Sequence, residues 1–69
     1  MTKINFLLNG NPYSIDKDSN ISKLIKILEL DPKKIAIEKD LEIITPENFN
    51  TTFLQDNCRI EIVHFIGGG

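Results

Sequence analysis

An α+β fold, with one helix packed across a mixed sheet, is predicted by three features of this 69-residue sequence. Its first and last segments alternate apolar and polar residues with the period of a half-buried strand. A single internal segment carries an apolar stripe at helical spacing. Shorter strand-like runs, set off by turn residues, lie between that segment and the end of the chain.

The elements follow in order. In KINFLLN (residues 3–9), Ile4, Phe6 and Leu8 fall on one side and Lys3, Asn5 and Leu7 on the other. Asn9-Gly10 is a hairpin turn signal, because both residue types tolerate positive φ. Pro12 has no N–H to give a ladder, so it marks the loop edge, and a second strand is expected over residues 13–16. Ile21, Leu24, Ile25 and Leu28 stand at i, i+3, i+4 and i+7, the buried stripe of a helix whose polar face holds Ser22, Lys23, Lys26 and Glu29. Ser19 or Asn20 can cap its first turn. Asp31-Pro32 is expected to end it, since a residue before proline avoids the α region. KIAIE (34–38) reads as a third strand and LEIIT (41–45) as a short fourth, joined by Lys39-Asp40. Thr45-Pro46 opens a helical turn reaching Asn50, with Phe49 as its anchor. Residues 55–57 form a turn, and RIEIVHFI (59–66) is the last strand. The first and last strands are expected side by side.

Composition excludes several function classes. The formal charge is −2 and the pI about 5.2, and Lys33-Lys34 is the sole adjacent basic pair. The concentrated positive field of a nucleic-acid binder is missing. No apolar run approaches membrane-spanning length, and the first ten residues read as a strand and not as a signal peptide. One cysteine cannot make an internal disulfide, so the expected compartment is the cytoplasm.

Enzyme chemistry finds little support. One His and one Cys do not supply a metal cluster. Residues six apart on a strand are roughly 20 Å apart, so Cys58 and His64 do not form a nucleophilic pair. Cys58 is expected to be an inert turn residue, with a thiol that could dimerise if exposed, and His64 to sit half exposed at the sheet end. The carboxylates of Asp16, Asp18, Glu38, Asp40, Glu42 and Asp56 read as solvated surface.

The remaining feature is Gly67-Gly68-Gly69. With glycine at about 7% of residues, three in a row at a given place arise by chance roughly three times in ten thousand. Only Gly10 lies elsewhere. Three glycines remove every side chain near the Gly69 α-carboxylate, so the backbone can thread a narrow channel in conformations that Cβ atoms forbid. A partner enzyme could bring that carboxylate to ATP, form an acyl adenylate and pass the acyl group to a nucleophile.

The Asn9-Gly10 hairpin, ISKLIKIL, IAIE, TPENF and above all DNCRIEIVHFIGGG together resemble the ThiS family, small sulfur carriers of thiamine biosynthesis. The resemblance spans essentially all residues, although Asn57-Cys58 stands where the family pattern has Gly-Asp. It implies a β-grasp (ubiquitin-like) domain over residues 1–66 and a flexible tail over 67–69. It further implies that the Gly69 carboxylate is adenylated by an E1-like enzyme of the ThiF type, becomes a thiocarboxylate with sulfur from a persulfide donor, and gives that sulfur to a thiazole synthase of the ThiG type. ATP would be consumed by the partner, no cofactor would be bound, and the chain would be a protein cosubstrate, monomeric when free. Gly68 and Gly69 match the family's functional residues and Gly67 extends the run.

Strand alternation adds a docking expectation. With Ile60 and Ile62 in the core, Val63, Phe65 and Leu7 share the opposite face and could form an apolar patch at the tail's root. Rival readings are the small subunit of molybdopterin synthase, a ubiquitin-like protein modifier, and a β-grasp interaction domain whose tail is idle.

Overall fold

Five strands form one sheet in the order β2-β1-β5-β3-β4. They are β1 (Lys3–Leu8), β2 (Asn11–Asp16), β3 (Ile35–Lys39), β4 (Glu42–Ile44) and β5 (Arg59–His64), with one α-helix, α1 (Ile21–Ile27). The computed structural model of the protein describes residues 2–65. Short 3₁₀ turns at Pro32–Lys34 and Pro46–Asn48 join the elements.

β1 and β2 make the antiparallel hairpin that alternation predicts, with Asn9 at φ 50° and Gly10 at φ 81° in the turn. Pro12 differs from expectation. It lies inside β2, opposite Leu7. β2 is an edge strand, so a missing N–H costs the sheet nothing on its open side. Phe6 and Tyr13, directly opposed, meet edge to face with ring centroids 5.7 Å apart.

Ile21, Leu24 and Ile25 bury the stripe of α1 and Leu28 is half-buried. Asn20 is the cap: its side chain accepts the Lys23 N–H at 2.8 Å. Ser19 instead is buried and donates to the Asp16 carbonyl. The helix ends earlier than Asp31-Pro32. Glu29 turns left-handed at φ 57°, its N–H reaches the Lys26 carbonyl and the Leu30 N–H reaches the Ile25 carbonyl. That is a Schellman closure, normally a glycine's place.

Across the sheet, β1 and β5 run parallel (Leu7 beside Arg59, Leu8 beside Ile60), and β5 pairs antiparallel with β3. The inner face presents Ile4, Phe6, Ile15, Ile35, Ile37, Ile60 and Ile62 to α1. Phe49 closes one end of this core, as expected. Thr45 makes no side-chain cap, contrary to the sequence signal. Cys58 is buried within the core cluster, so its thiol is not exposed for dimerisation.

Candidate functional site

The glycine run follows β5, the central strand of the sheet. It has a neighbour on each side. At its start, the Asp40 N–H donates to the Arg59 carbonyl at 2.8 Å and the Arg59 N–H donates to Asp40 Oδ1 at 2.9 Å. In its middle, where β1 has already turned away, the Asn9 side chain takes over: the Ile62 N–H donates to Asn9 Oδ1 at 2.8 Å and Asn9 Nδ2 donates to the Ile62 carbonyl at 3.3 Å. Beyond its end, the Phe65 N–H still donates to the Lys34 carbonyl at 2.9 Å. The chain is therefore fixed up to its last described residue. Gly67, Gly68 and Gly69, and the expected boundary between domain and tail, lie outside the described residues.

Side chains alternate along β5. Ile60 and Ile62 are buried, while Arg59, Glu61 and Val63 face outward. Val63 is 61% exposed and Phe65 60%, both within a few residues of the glycines. Leu7 is 37% exposed but stands beside Arg59, four residues back from Val63, which is roughly 13 Å along a strand. The structure thus places Val63 and Phe65 at the end of β5, just before the glycines in sequence, and sets Leu7 apart from them.

Other residues come to that end instead. Ala36 stands directly opposite Val63. Phe65, Ala36, Ile43 and Pro46 line a groove of about 370 Å³. Ile43 is 72% exposed. Sequence reasoning missed it, although a signal existed: Ile43 and Ile44 are adjacent in a strand, so both cannot face one core. Ile44 takes the inward position opposite Ile37.

Residues weighed for catalysis do not converge. Cys58 is buried and His64 is exposed at the strand end. Among the described residues, no three of His, Cys, Asp or Glu gather as metal ligands. No helix among the described residues is long and apolar enough to cross a membrane. Away from the end of β5, Lys3 at 3.3 Å, by hydrogen bond and charge, and then Lys23 at 3.4 Å hold the Asp16 carboxyl below the usual carboxylate value.

Comparison with known proteins accords with this geometry. The model of the ThiS family matches residues 6–69. The chain is 40% identical over 63 residues to the sulfur carrier protein ThiS of Bacillus subtilis, covering 90% of this chain and 96% of that protein. It is 34% identical over 62 residues to a thiazole synthase of Magnetococcus marinus, covering 90% of this chain but only 19% of that much longer protein. The crystal structure of the thiamine biosynthesis protein ThiS from Geobacter metallireducens superposes with a TM-score of 0.82 at 28% identity, over 96% of this chain and all of that one. The mixed five-stranded sheet with one helix is the β-grasp arrangement of that structure.

Proposed function

This chain belongs to the ThiS family, and on that premise we propose that it is a sulfur carrier for thiazole formation in thiamine biosynthesis. Its reacting atoms are those of the Gly69 carboxylate. An E1-like enzyme joins that carboxylate to the AMP portion of ATP and pyrophosphate leaves. The terminal sulfur of a donor persulfide then attacks the acyl carbon and AMP leaves. A second thiol reduces the resulting acyl disulfide, which frees the thiocarboxylate and leaves a disulfide on the donor side. Thiazole synthase takes the sulfur. The domain contributes binding and placement and no catalytic group, so it is a cosubstrate and not an enzyme.

The observation that carries this reading is the family match running through the glycines to residue 69. The structure supports it by what surrounds the tail's root. β5 is held on both sides as far as Ile62 and on its β3 side up to Phe65, so whatever grips the domain also sets where the glycine run begins. The Magnetococcus protein supports the choice of acceptor, since a segment similar to this chain occupies a fifth of a protein named thiazole synthase.

The test is an intact mass after incubation with ATP, the host's E1-like enzyme and a persulfide source. The expected result is a gain equal to exchanging one oxygen for one sulfur, abolished by deleting Gly69. An unchanged mass, with an enzyme shown active on a known carrier, overturns the reading.

A further inference from the structure

Asn9 alone among the asparagines of the chain is followed by glycine. An asparagine amide is thermolabile, and it is lost most readily when the next backbone nitrogen attacks it. At Asn9 that nitrogen is open. Gly10 has no side chain to crowd it, a Cβ built there would meet nothing within 4 Å, and its N–H finds no acceptor among the described residues. Both residues are exposed. The turn therefore brings the reacting groups together in reach of solvent.

The fold supplies a restraint. The Asn9 N–H donates to the Ile60 carbonyl at 2.8 Å, and both ends of the side-chain amide are bonded to Ile62. Ring closure makes Cγ tetrahedral and expels Nδ2. Neither change is compatible with an amide that holds Ile62 by its oxygen and its nitrogen together. The two side-chain bonds are neutral and one is long, at 3.3 Å, so this clamp opens far more readily than the core.

We propose that Asn9-Gly10 is a spontaneous modification site and that the clamp on Ile62 sets its rate. When the clamp opens, the Gly10 nitrogen gives its proton to solvent base and attacks Asn9 Cγ. A C–N bond forms, the Cγ–Nδ2 bond breaks, and Nδ2 takes up a proton and leaves as ammonia. The product is a succinimide. Water opens that ring at either carbonyl and yields aspartate or isoaspartate, with no change of oxidation state. Neither product restores the clamp. A carboxylate has no N–H for the Ile62 carbonyl and sets a negative oxygen against it. Isoaspartate also adds a backbone atom to a two-residue turn whose register pairs Leu8 with Asn11. The change is one-way, and it loosens β5 on its β1 side. It needs no enzyme and stands apart from the carrier reading.

The test ages the full chain in warm, mildly alkaline buffer, folded and in guanidinium chloride, and follows each asparagine by peptide mapping. Asn9 is expected to convert first in both, and roughly ten- to a hundredfold more slowly in the folded chain, the cost of opening two hydrogen bonds. The folded rate is expected to stay flat in low denaturant, because opening the clamp exposes little surface. The aged fraction is expected to melt at a lower midpoint, with Asn9→Asp matching its aspartate form. Equal rates in the folded and unfolded chain overturn the proposal, since the clamp would restrain nothing. A folded rate that climbs with denaturant as steeply as global unfolding overturns it, and so does a folded chain in which Asn9 outlasts another asparagine. An aged fraction that melts like fresh protein overturns it too. Gly10→Ala, read in the unfolded chain where its positive φ does not matter, is expected to slow the conversion, and an unchanged rate would overturn the assignment of the attacking nitrogen.

Discussion

The side-chain amide of Asn9 hydrogen-bonds both backbone groups of Ile62, 53 residues away, accepting at 2.8 Å and donating at 3.3 Å. It does so from a left-handed turn position, at φ 50°. One residue thus closes the first hairpin and extends the β1–β5 pairing past the end of β1. Asn9→Asp keeps the turn and the acceptor but sets a carboxylate oxygen against the Ile62 carbonyl. Asn9→Ala loses both bonds and the tolerance of positive φ. The expected costs are about 1–2 kcal/mol for Asp and about 2–3 kcal/mol for Ala. Urea unfolding checks this, and equal stability of all three proteins would show that the amide contributes nothing.

Leu41 offers the opposite case. It is a bulky residue at φ 72° in the β3–β4 turn and is 75% exposed. Strain without burial means glycine should do better. Leu41→Gly is expected to stabilise by about 0.5–1 kcal/mol, the left-handed strain relieved less the added freedom of the unfolded chain. The denaturation midpoint should rise with an unchanged slope. A fall would mean that the Leu41 side chain makes contacts worth more than the strain.

Phe49 is buried at one end of the core. Its carbonyl accepts the Ser22 N–H at 3.1 Å, which ties the 3₁₀ segment to α1. Phe49→Ala is expected to cost about 3–5 kcal/mol. A domain of this length has about 3–10 kcal/mol in all by the usual per-residue figure, so the variant should be largely unfolded or close to it. Phe53→Ala, at a half-exposed ring, should change stability by less than about 1 kcal/mol. Circular dichroism and thermal melts distinguish the two.

Asp16 sets part of the acid limb. Its carboxyl is held below the ordinary 3.8, first by Lys3 and then by Lys23. A depressed folded-state value stabilises the fold above the unfolded value. That stabilisation is fully present above about pH 4. It is lost as pH falls through the lower folded value. Asp16→Asn should flatten this part of the stability profile, with little change in its shape near neutrality. Because the group is at the surface, added salt should shrink the difference. An acid limb identical in both proteins would contradict the assignment.

Much of this arrangement was legible because local chemistry and tertiary demand agree. The alternation of Ile4, Phe6 and Leu8, and of Ile60 and Ile62, names the inner face of two neighbouring strands. Asn9-Gly10 names their turn, and the stripe from Ile21 to Leu28 names the helix. The misreadings have physical causes. Glu29 accepts a left-handed conformation that sequence rules reserve for glycine, so the helix stops before its proline. Pro12 sits in a strand because that strand is an edge. Cys58 reads as turn by its neighbours, but it follows the turn and points inward. Alternation puts Leu7 and Val63 on one face. Only register, a long-range property, reveals the distance between them.

The central position of β5 also has a mechanical consequence. A partner that draws on the chain beyond Phe65 pulls along the axis of this strand. β5 runs parallel to β1 and antiparallel to β3 and is bonded to both. Such a load shears two ladders at once and does not peel bonds away singly, as it would from an edge. The domain can therefore bear tension at its exit point while its fold stays whole, and a tug on the tail moves the entire body toward whatever is pulling.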